Sequence, residues 1–335
     1  MKKVNFNLSK NSKITLAVLS GFVFAFVLIP VIVASAIPSI EYLEMTEYNG
    51  TDIDIDVHET EDGLSFYINV HRDETDEIET IEFEQYIIGV VAAEMPALFE
   101  MDALRAQAIA ARTYAMRILQ HQDYILDTVR HQVFLDEEQL KARWGDSFDT
   151  HFATIETAVK STRGLVLKYD SELITPMFFS MSSGATENSE EVFSSERPYL
   201  RSVASLGYET HDSFSQSETF TINELGYILG DSNISANNIS ILVHSTGGNV
   251  GEIRIGDSIY TGREIRERLG LRSAAFSIEI SDDLVTFTTY GHGHGVGMSQ
   301  HGANVMAGNG HCYEEILTHF YQNVEITKLV LAESE

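Results

Sequence analysis

Glu94 lies in the apolar string Val90-Val-Ala-Ala-Glu-Met-Pro-Ala97. Neighbours of that kind strip water from a carboxylate, disfavour its charged form and raise its pKa. A carboxylic acid that keeps its proton near neutral pH can hand it to a glycosidic oxygen. A glutamate at a helix end is also an ordinary solvent-facing residue, and the chain has 50 acidic side chains. The local string leaves both readings open.

A second candidate is the C-terminal segment Gly291-His-Gly-His-Gly-Val-Gly297, with His301, His311 and His319 beyond it. Histidines at this density suit a metal site, and His292 and His294 would point the same way on a strand. No acidic residue accompanies them in the segment. Its glycines allow positive φ and close backbone approach to a ligand, so a tight loop lining a substrate groove, with His294 as a hydrogen-bond donor, competes with the metal reading. A plain structural turn is the third possibility. The loop Ser180-Met-Ser-Ser-Gly-Ala-Thr-Glu-Asn-Ser189, with Ser183 near its middle, offers hydroxyl and amide groups suited to a sugar. There is no G-x-S-x-G nucleophile elbow and no G-x-x-x-x-G-K-[ST] phosphate loop.

The formal net charge of -28 weighs against nucleic acid as a partner, because phosphate binding needs clustered Lys and Arg. Cys312 is the only cysteine, which leaves no intrachain disulfide and no zinc site built on several thiolates. At 335 residues, 44% hydrophobic, the chain is long enough for a sizeable core. The uncharged apolar run from Ile14 to Ile37 is long enough to span a bilayer core of ~30 Å. Lys2, Lys3, Lys10 and Lys13 precede it and Glu41 follows, so the positive-inside rule places residues 1–13 in the cytoplasm and the remainder outside. The stretch Ala34-Ser-Ala36 resembles a signal-peptide cleavage site. The run exceeds the usual apolar region of such a peptide, and a retained anchor over 14–37 is the expectation. A linker over 38–50 and an extracytoplasmic domain over 51–335 follow.

Several elements must position these residues. Ile53–Val57 and Ser65–Val70 predict a hairpin around Glu61-Asp62-Gly63. Tyr86–Ala93 predicts a buried helix that Glu94-Met95-Pro96 ends. An alanine-rich helix is predicted from about Ala103 to Gln120, with Asp102 as N-cap. Arg105 and Arg112 share one of its faces, and Gln107 and Tyr114 share another. Helices are expected near 136–144 and 149–161, and strands at 164–169 and 173–179. Capping boxes at Thr221/Glu224 and Thr261/Glu264 open two more helices. Strands near 239–244, 252–260, 276–280 and 284–290 surround them, and helices from Ser299 and from Tyr313 to Tyr321 close the chain. The pattern predicts an α+β fold, mixed sheets and helices around a cleft, with no regular βαβ order.

Five blocks carry a resemblance. They are Glu82-Phe-Glu-Gln-Tyr-Ile-Ile-Gly-Val-Val-Ala-Ala-Glu94-Met-Pro with Ala103-Leu-Arg-Ala-Gln-Ala-Ile-Ala-Ala-Arg112-Thr-Tyr-Ala115; Phe178-Phe-Ser-Met-Ser-Ser-Gly184; Thr186-Glu-Asn188; Arg197-Pro-Tyr199-Leu; and Gly293-His-Gly-Val-Gly-Met-Ser-Gln300. In this order, over roughly 65–325, the chain resembles the stage II sporulation protein D family. The resemblance implies a lytic transglycosylase that cuts the MurNAc–GlcNAc bond of denuded peptidoglycan strands and leaves 1,6-anhydro-MurNAc ends. Glu94 falls on the family's catalytic glutamate. Arg105, Arg112, Thr186, Tyr199 and Arg201 fall where the family has residues important for activity, in glycan binding or in positioning Glu94. The resemblance also implies action during forespore engulfment, with the amidase stage II sporulation protein P and the membrane protein stage II sporulation protein M as partners. No cofactor is implied. Some members hold zinc through cysteines and histidines in the segment matching Leu126-Asp-Thr-Val-Arg-His-Gln132. Here that segment has only His131, so no metal is expected, and packing around Phe134 and Trp144 is the substitute. Two rival readings remain: a non-catalytic amidase enhancer, since related proteins are described that way, and a metal-dependent hydrolase built on the C-terminal histidines.

Overall fold

The structure, a computed structural model, describes residues 57–60, 63–205, 207–209 and 211–329. The anchor and linker expected over 14–37 and 38–50 lie outside the described residues, as does all but the last residue of the strand expected over Ile53–Val57. No described helix is long and apolar enough to cross a membrane. The described part is α+β, with sheets and helices interleaved.

β1 (Val57–Thr60) and β2 (Gly63–Arg72) pair antiparallel. β3 (Glu77–Glu82) returns antiparallel along β2. The sequence shows no strand there because only Ile81 of its residues is buried, so apolar alternation is missing. Glu82 then caps α1 (Phe83–Glu94), accepting from the Gln85 N–H at 2.7 Å. α1 stops where Met95 turns extended (φ -128°, ψ 136°) ahead of Pro96. α2 (Met101–Leu119) begins earlier than expected. Its N-cap is Glu100, and Asp102 sits inside the first turn, where the helix dipole favours an acid, and pairs with Arg105 at 3.2 Å.

β4 (Ile125–Leu126) joins β2 in parallel. α3 (Glu137–Trp144) and α4 (Phe148–Ser161) follow, then β5 (Leu165–Tyr169) and β6 (Glu172–Leu173). The strand expected over 173–179 is interrupted: β6 ends at Leu173 and the short β7 covers Phe178–Phe179. α5 (Ser189–Phe193) ends the serine loop. Next come β8 (Ser215–Thr221), α6 (Ile222–Leu229), β9 (Ile239–His244), β10 (Val250–Ile255), β11 (Ser258–Thr261), α7 (Gly262–Leu269), β12 (Phe276–Ser281) and β13 (Leu284–Tyr290). The strand expected over 252–260 is a hairpin, since β10 and β11 fold back on each other. β14 (Met298–Ser299), α8 (Gln300–Gly308), α9 (Tyr313–Phe320) and β15 (Glu325–Lys328) complete the chain.

α2 is the hub. Ala103, Ala106, Ala108, Ala110, Ala111 and Ala115 are all buried, so the helix is apolar on most of its circumference. Its short side chains let α1, α4, α8, α9 and β5 pack around it. Arg112 lies in this packing with 0% exposure. Its Nε and Nη2 donate to the two carboxylate oxygens of Glu84 at 2.9 and 2.7 Å. The remaining N–H groups reach the carbonyls of Leu165 (3.1 Å), Val159 (3.4 Å) and Ala108 (3.5 Å). One guanidinium therefore ties α1, α2, the end of α4 and the start of β5 together.

The segment between β4 and α3 is pinned through Phe134, which stacks on Tyr86 at 5.3 Å between ring centroids. It fills the space that a side chain at position 89 would need: a Cβ on Gly89 would stand 2.3 Å from Phe134 Cε2 and 2.5 Å from the Leu135 carbonyl oxygen. Arg72 lies over the same ring at 4.9 Å and reaches Asp127 and Asp136 at 3.3 and 2.8 Å. Trp144 has a different job, meeting His151 edge-on at 5.4 Å and so joining α3 to α4.

Residues 215–290 form a lobe with its own core, including Leu225, Ile253, Ile265, Val285 and Phe287. The capping boxes at Thr221/Glu224 and Thr261/Glu264 open its two helices as expected. The chain enters and leaves this lobe side by side. β7 and β14 pair in parallel, and Met181 and His292 exchange backbone hydrogen bonds at 3.0 and 2.7 Å. The serine loop and the glycine segment, far apart in sequence, thereby become neighbours.

Two outcomes follow from this packing. Gly89→Ala should lower stability by about 1–3 kcal/mol through overpacking, read by urea unfolding. Arg112→Met should cost about 3 kcal/mol in the same assay, because it leaves the largely buried Glu84 carboxylate without its cation.

Candidate active site

Glu94 ends α1 with its carboxyl half-buried, among the buried side chains of Val90, Val91 and Met95. Burial raises its pKa above the ordinary carboxylate value, and this outweighs three opposing influences. These are the Val133 N–H, which donates to Oε1 at 2.9 Å, a hydrogen bond from the Gln300 side chain, and the positive charge of Arg143. Val133 occupies Oε1 as an acceptor, so a proton carried by this group belongs on Oε2. Arg143 is held in place by donating to the carbonyls of Ala92 and Ala93, at 3.4 and 3.2 Å, at the end of α1. The arrangement is a protonatable carboxyl with one oxygen fixed by a backbone donor. That is what a general acid requires.

The loop after Glu94 is joined to the segment after the glycines. The Phe99 ring meets His301 edge-on at 5.1 Å, and the Glu100 N–H donates to Asn304 Oδ1 at 2.7 Å. Ser299 caps α8 and accepts from the Ser182 N–H at 3.3 Å. Gln300 follows directly, so the serine loop and the glycine segment both lead to the carboxyl. Gly297 lets them come this close: its φ is +78°, and a Cβ there would stand 2.0 Å from the Met177 carbonyl oxygen.

The other residues singled out from sequence are mostly engaged elsewhere. Arg112 grips Glu84 at the opposite end of α1, roughly 15 Å from Glu94 along the helix axis. Arg112 therefore stands away from the Glu94 carboxyl, at the other end of the helix that carries it. Arg105 does share a face with Arg112, donating to Ser161 Oγ at 3.1 Å and to Asp102. Thr186 is buried; its Oγ1 accepts from the Val203 N–H at 2.9 Å. The Tyr199 hydroxyl accepts from the Thr175 N–H at 3.0 Å. Arg201 makes a two-pronged pair with Glu190, both contacts 2.8 Å. Ser183 is half-buried in the turn of the serine loop.

His294 does not lie on a strand with His292. Its Nδ1 accepts from the Val296 N–H at 3.1 Å and its Nε2 donates to the Phe178 carbonyl at 3.0 Å. Burial pushes its pKa down to about 3, so the ring is neutral and serves the backbone on both sides. His131 is also neutral, pushed down to about 4 by burial, with Nδ1 accepting from the Leu126 N–H at 2.9 Å. Among the described residues no three His, Cys, Asp or Glu side chains gather as a metal-ligand set.

Sequence reading missed the partners of Glu94. Val133 contributes a backbone group, which leaves no trace in residue type. Arg143 comes from a charged helix with many similar neighbours. Gln300 stands at the end of the glycine block, and its type alone carried no chemical signal.

A family model described as "Stage II sporulation protein" matches residues 71–169, from the end of β2 through β5 and therefore across Glu94 and Arg112. The chain is 39% identical to stage II sporulation protein D of Bacillus subtilis (strain 168), over 78% of this chain and 79% of that protein. It is 38% identical to the protein of the same name from Bacillus amyloliquefaciens, over 78% of both chains. It is also 29% identical to the amidase enhancer of Bacillus subtilis (strain 168), over 71% of this chain but 40% of that longer protein. With that identity over so much of both chains, and with a match that runs through the buried helix pair and its terminal carboxyl, the chain belongs to the stage II sporulation protein D family.

Proposed function

We propose that this protein is a lytic transglycosylase that cleaves the MurNAc–GlcNAc bond of denuded peptidoglycan strands during forespore engulfment, leaving 1,6-anhydro-MurNAc ends. The observation that carries this reading is the Glu94 carboxyl, kept above its ordinary pKa by burial and oriented by the Val133 N–H. Glu94 gives its proton to the glycosidic oxygen as the C1–O bond breaks. The resulting carboxylate then takes the proton of the muramic C6 hydroxyl as that oxygen bonds to C1. The proton count returns to its starting value and no water is consumed. One carboxyl suffices because the nucleophile belongs to the substrate, unlike the two-carboxylate hydrolases.

In this reading Arg112 acts through α1, and Thr186, Tyr199, Arg201 and His294 act through the loops they hold. Ser183, half-buried on the serine loop, and Arg105 remain the candidates for touching glycan. The apolar run over 14–37 would tether the domain to the membrane on its outer side. Stage II sporulation proteins P and M would be the partners there, P supplying strands already stripped of stem peptides.

The similarity to an amidase enhancer supports one competing reading, an activator without catalysis of its own. Digestion of denuded glycan by the purified protein separates the two. Wild type should release anhydro-muramic ends, and Glu94→Gln should lower the rate by about 100-fold or more. Glu94→Asp should also lose most activity, since the shortened acid falls out of hydrogen-bond reach. Identical, empty digests from wild type and Glu94→Gln, together with faster cleavage by an added amidase, would establish the activator instead.

The pH dependence has a defined sign. The acid must be protonated, so activity is lost as pH rises through the Glu94 pKa. Because burial raises that pKa, the alkaline limb of the kcat/KM profile should lie above the ordinary glutamate range. A limb at the ordinary value would contradict the assigned role.

A further inference from the structure

Gln107 and Gln300 come from elements 193 residues apart in sequence and meet in the interior. Gln107 is on α2 with 0% exposure, and Gln300 is the first residue of α8 with 5%. Gln300 Nε2 donates to Gln107 Oε1 across a long 3.5 Å contact, and the Gln300 side chain also donates to the Glu94 carboxyl. The amide nitrogen of Gln107 has no partner among the described residues. A buried amide left half-satisfied is a poor choice for stability, since an apolar side chain of similar size carries no desolvation penalty. The arrangement makes sense if the amide is kept for the group at the end of the chain of contacts.

We infer that Gln107 and Gln300 form a positioning pair for Glu94. Gln107 fixes the rotamer of Gln300 by occupying one of its N–H groups, and Gln300 presents the other to the carboxyl. This inference rests on the general-acid reading of Glu94. The pair does two things for the reaction. It keeps the carboxyl plane turned so that Oε2 faces the glycosidic oxygen while Val133 holds Oε1. It also gives the carboxylate a second donor once the proton has left, which favours the acid step and restrains the carboxylate until it takes the C6 hydroxyl proton. Neither glutamine contacts substrate in this scheme, so neither is a catalytic residue.

The test uses the full chain with Gln300→Met and Gln107→Met, which keep side-chain length and remove the amide. For Gln300→Met, kcat on denuded glycan should fall about 10–100-fold, as expected when a reacting group is misplaced, with KM little changed. The alkaline limb of the pH profile should move to higher pH, because a donor to the charged form is gone. Gln107→Met should shift both quantities in the same direction by less. A carbon-13 titration of the Glu94 carboxyl, assigned by difference from Glu94→Gln, should show the same upward displacement without reference to turnover. Unchanged titration and pH limb in Gln300→Met would overturn the inference, as would an effect confined to KM. So would unfolding of both variants by circular dichroism, which would make the pair a structural one. If wild type itself fails to cut glycan, the enzyme reading fails, yet the carboxyl titration still decides whether the amides act on Glu94.

Discussion

A guanidinium without solvent contact sets the terms for the rest of this structure. Arg112 cannot lose its charge and has five N–H groups to satisfy. In the interior every one of them must find an acceptor, and each does, through Glu84 and three backbone carbonyls. Those acceptors belong to α1, α2, α4 and β5, so satisfying one side chain dictates how four elements meet. A buried pair of this kind need not add net stability over an apolar substitute. What it does is gather a carboxylate of α1 and carbonyls of α2, α4 and β5 around one group, so a shift of α1 along α2 would break these contacts.

Register matters because the proposed acid, Glu94, ends α1, with Arg112 and Glu84 at the helix's other end. The proposed role asks that Glu94 be dry enough to hold a proton and open enough to give it away. The first condition comes from its apolar neighbours on α1, the second from its place at the end of the helix, where Pro96 forces the chain out. The loop carrying Val133 is held by the ring of Phe134 in the gap left by Gly89 and by Arg72 over that ring. Thus the hydrogen bond that orients Glu94 depends on a packing contact on α1 itself, one turn and a little more before the carboxyl. An aromatic ring, a glycine and an ion-pair cluster brace this segment.

The inserted lobe solves a different problem. Its separate core lets it fold around its own apolar residues, while its two ends lie together, so the serine loop and the glycine segment are brought side by side. Glu187 strengthens that junction: its carboxylate accepts from Ser245 Oγ at 2.8 Å and from the N–H groups of Asn249 and Gly247 at 2.9 and 3.0 Å. His294 does the same work with a neutral ring. Thr186, Tyr199 and His294, which read in sequence as candidate ligand-binding residues, hold hydrogen bonds to the backbone of these loops in the fold.

Much of the fold is legible in the sequence. The apolar run into Glu94-Met-Pro predicted a buried helix ending in a carboxyl, since proline and hydrophobic neighbours act locally. Capping boxes at Thr221 and Thr261 marked helix starts for the same reason. The alanine-rich α2 announced close packing, and the shared face of Arg105 and Arg112 followed from helical spacing alone. Tertiary structure decided which partners these residues meet. Whether Arg112 meets a sugar or Glu84, whether His294 meets a ligand or two backbone groups, and which amide reaches Glu94 all depend on contacts between segments distant in the chain. Local propensity is blind to such contacts, because burial and partner choice are properties of the assembled core and not of any stretch of sequence.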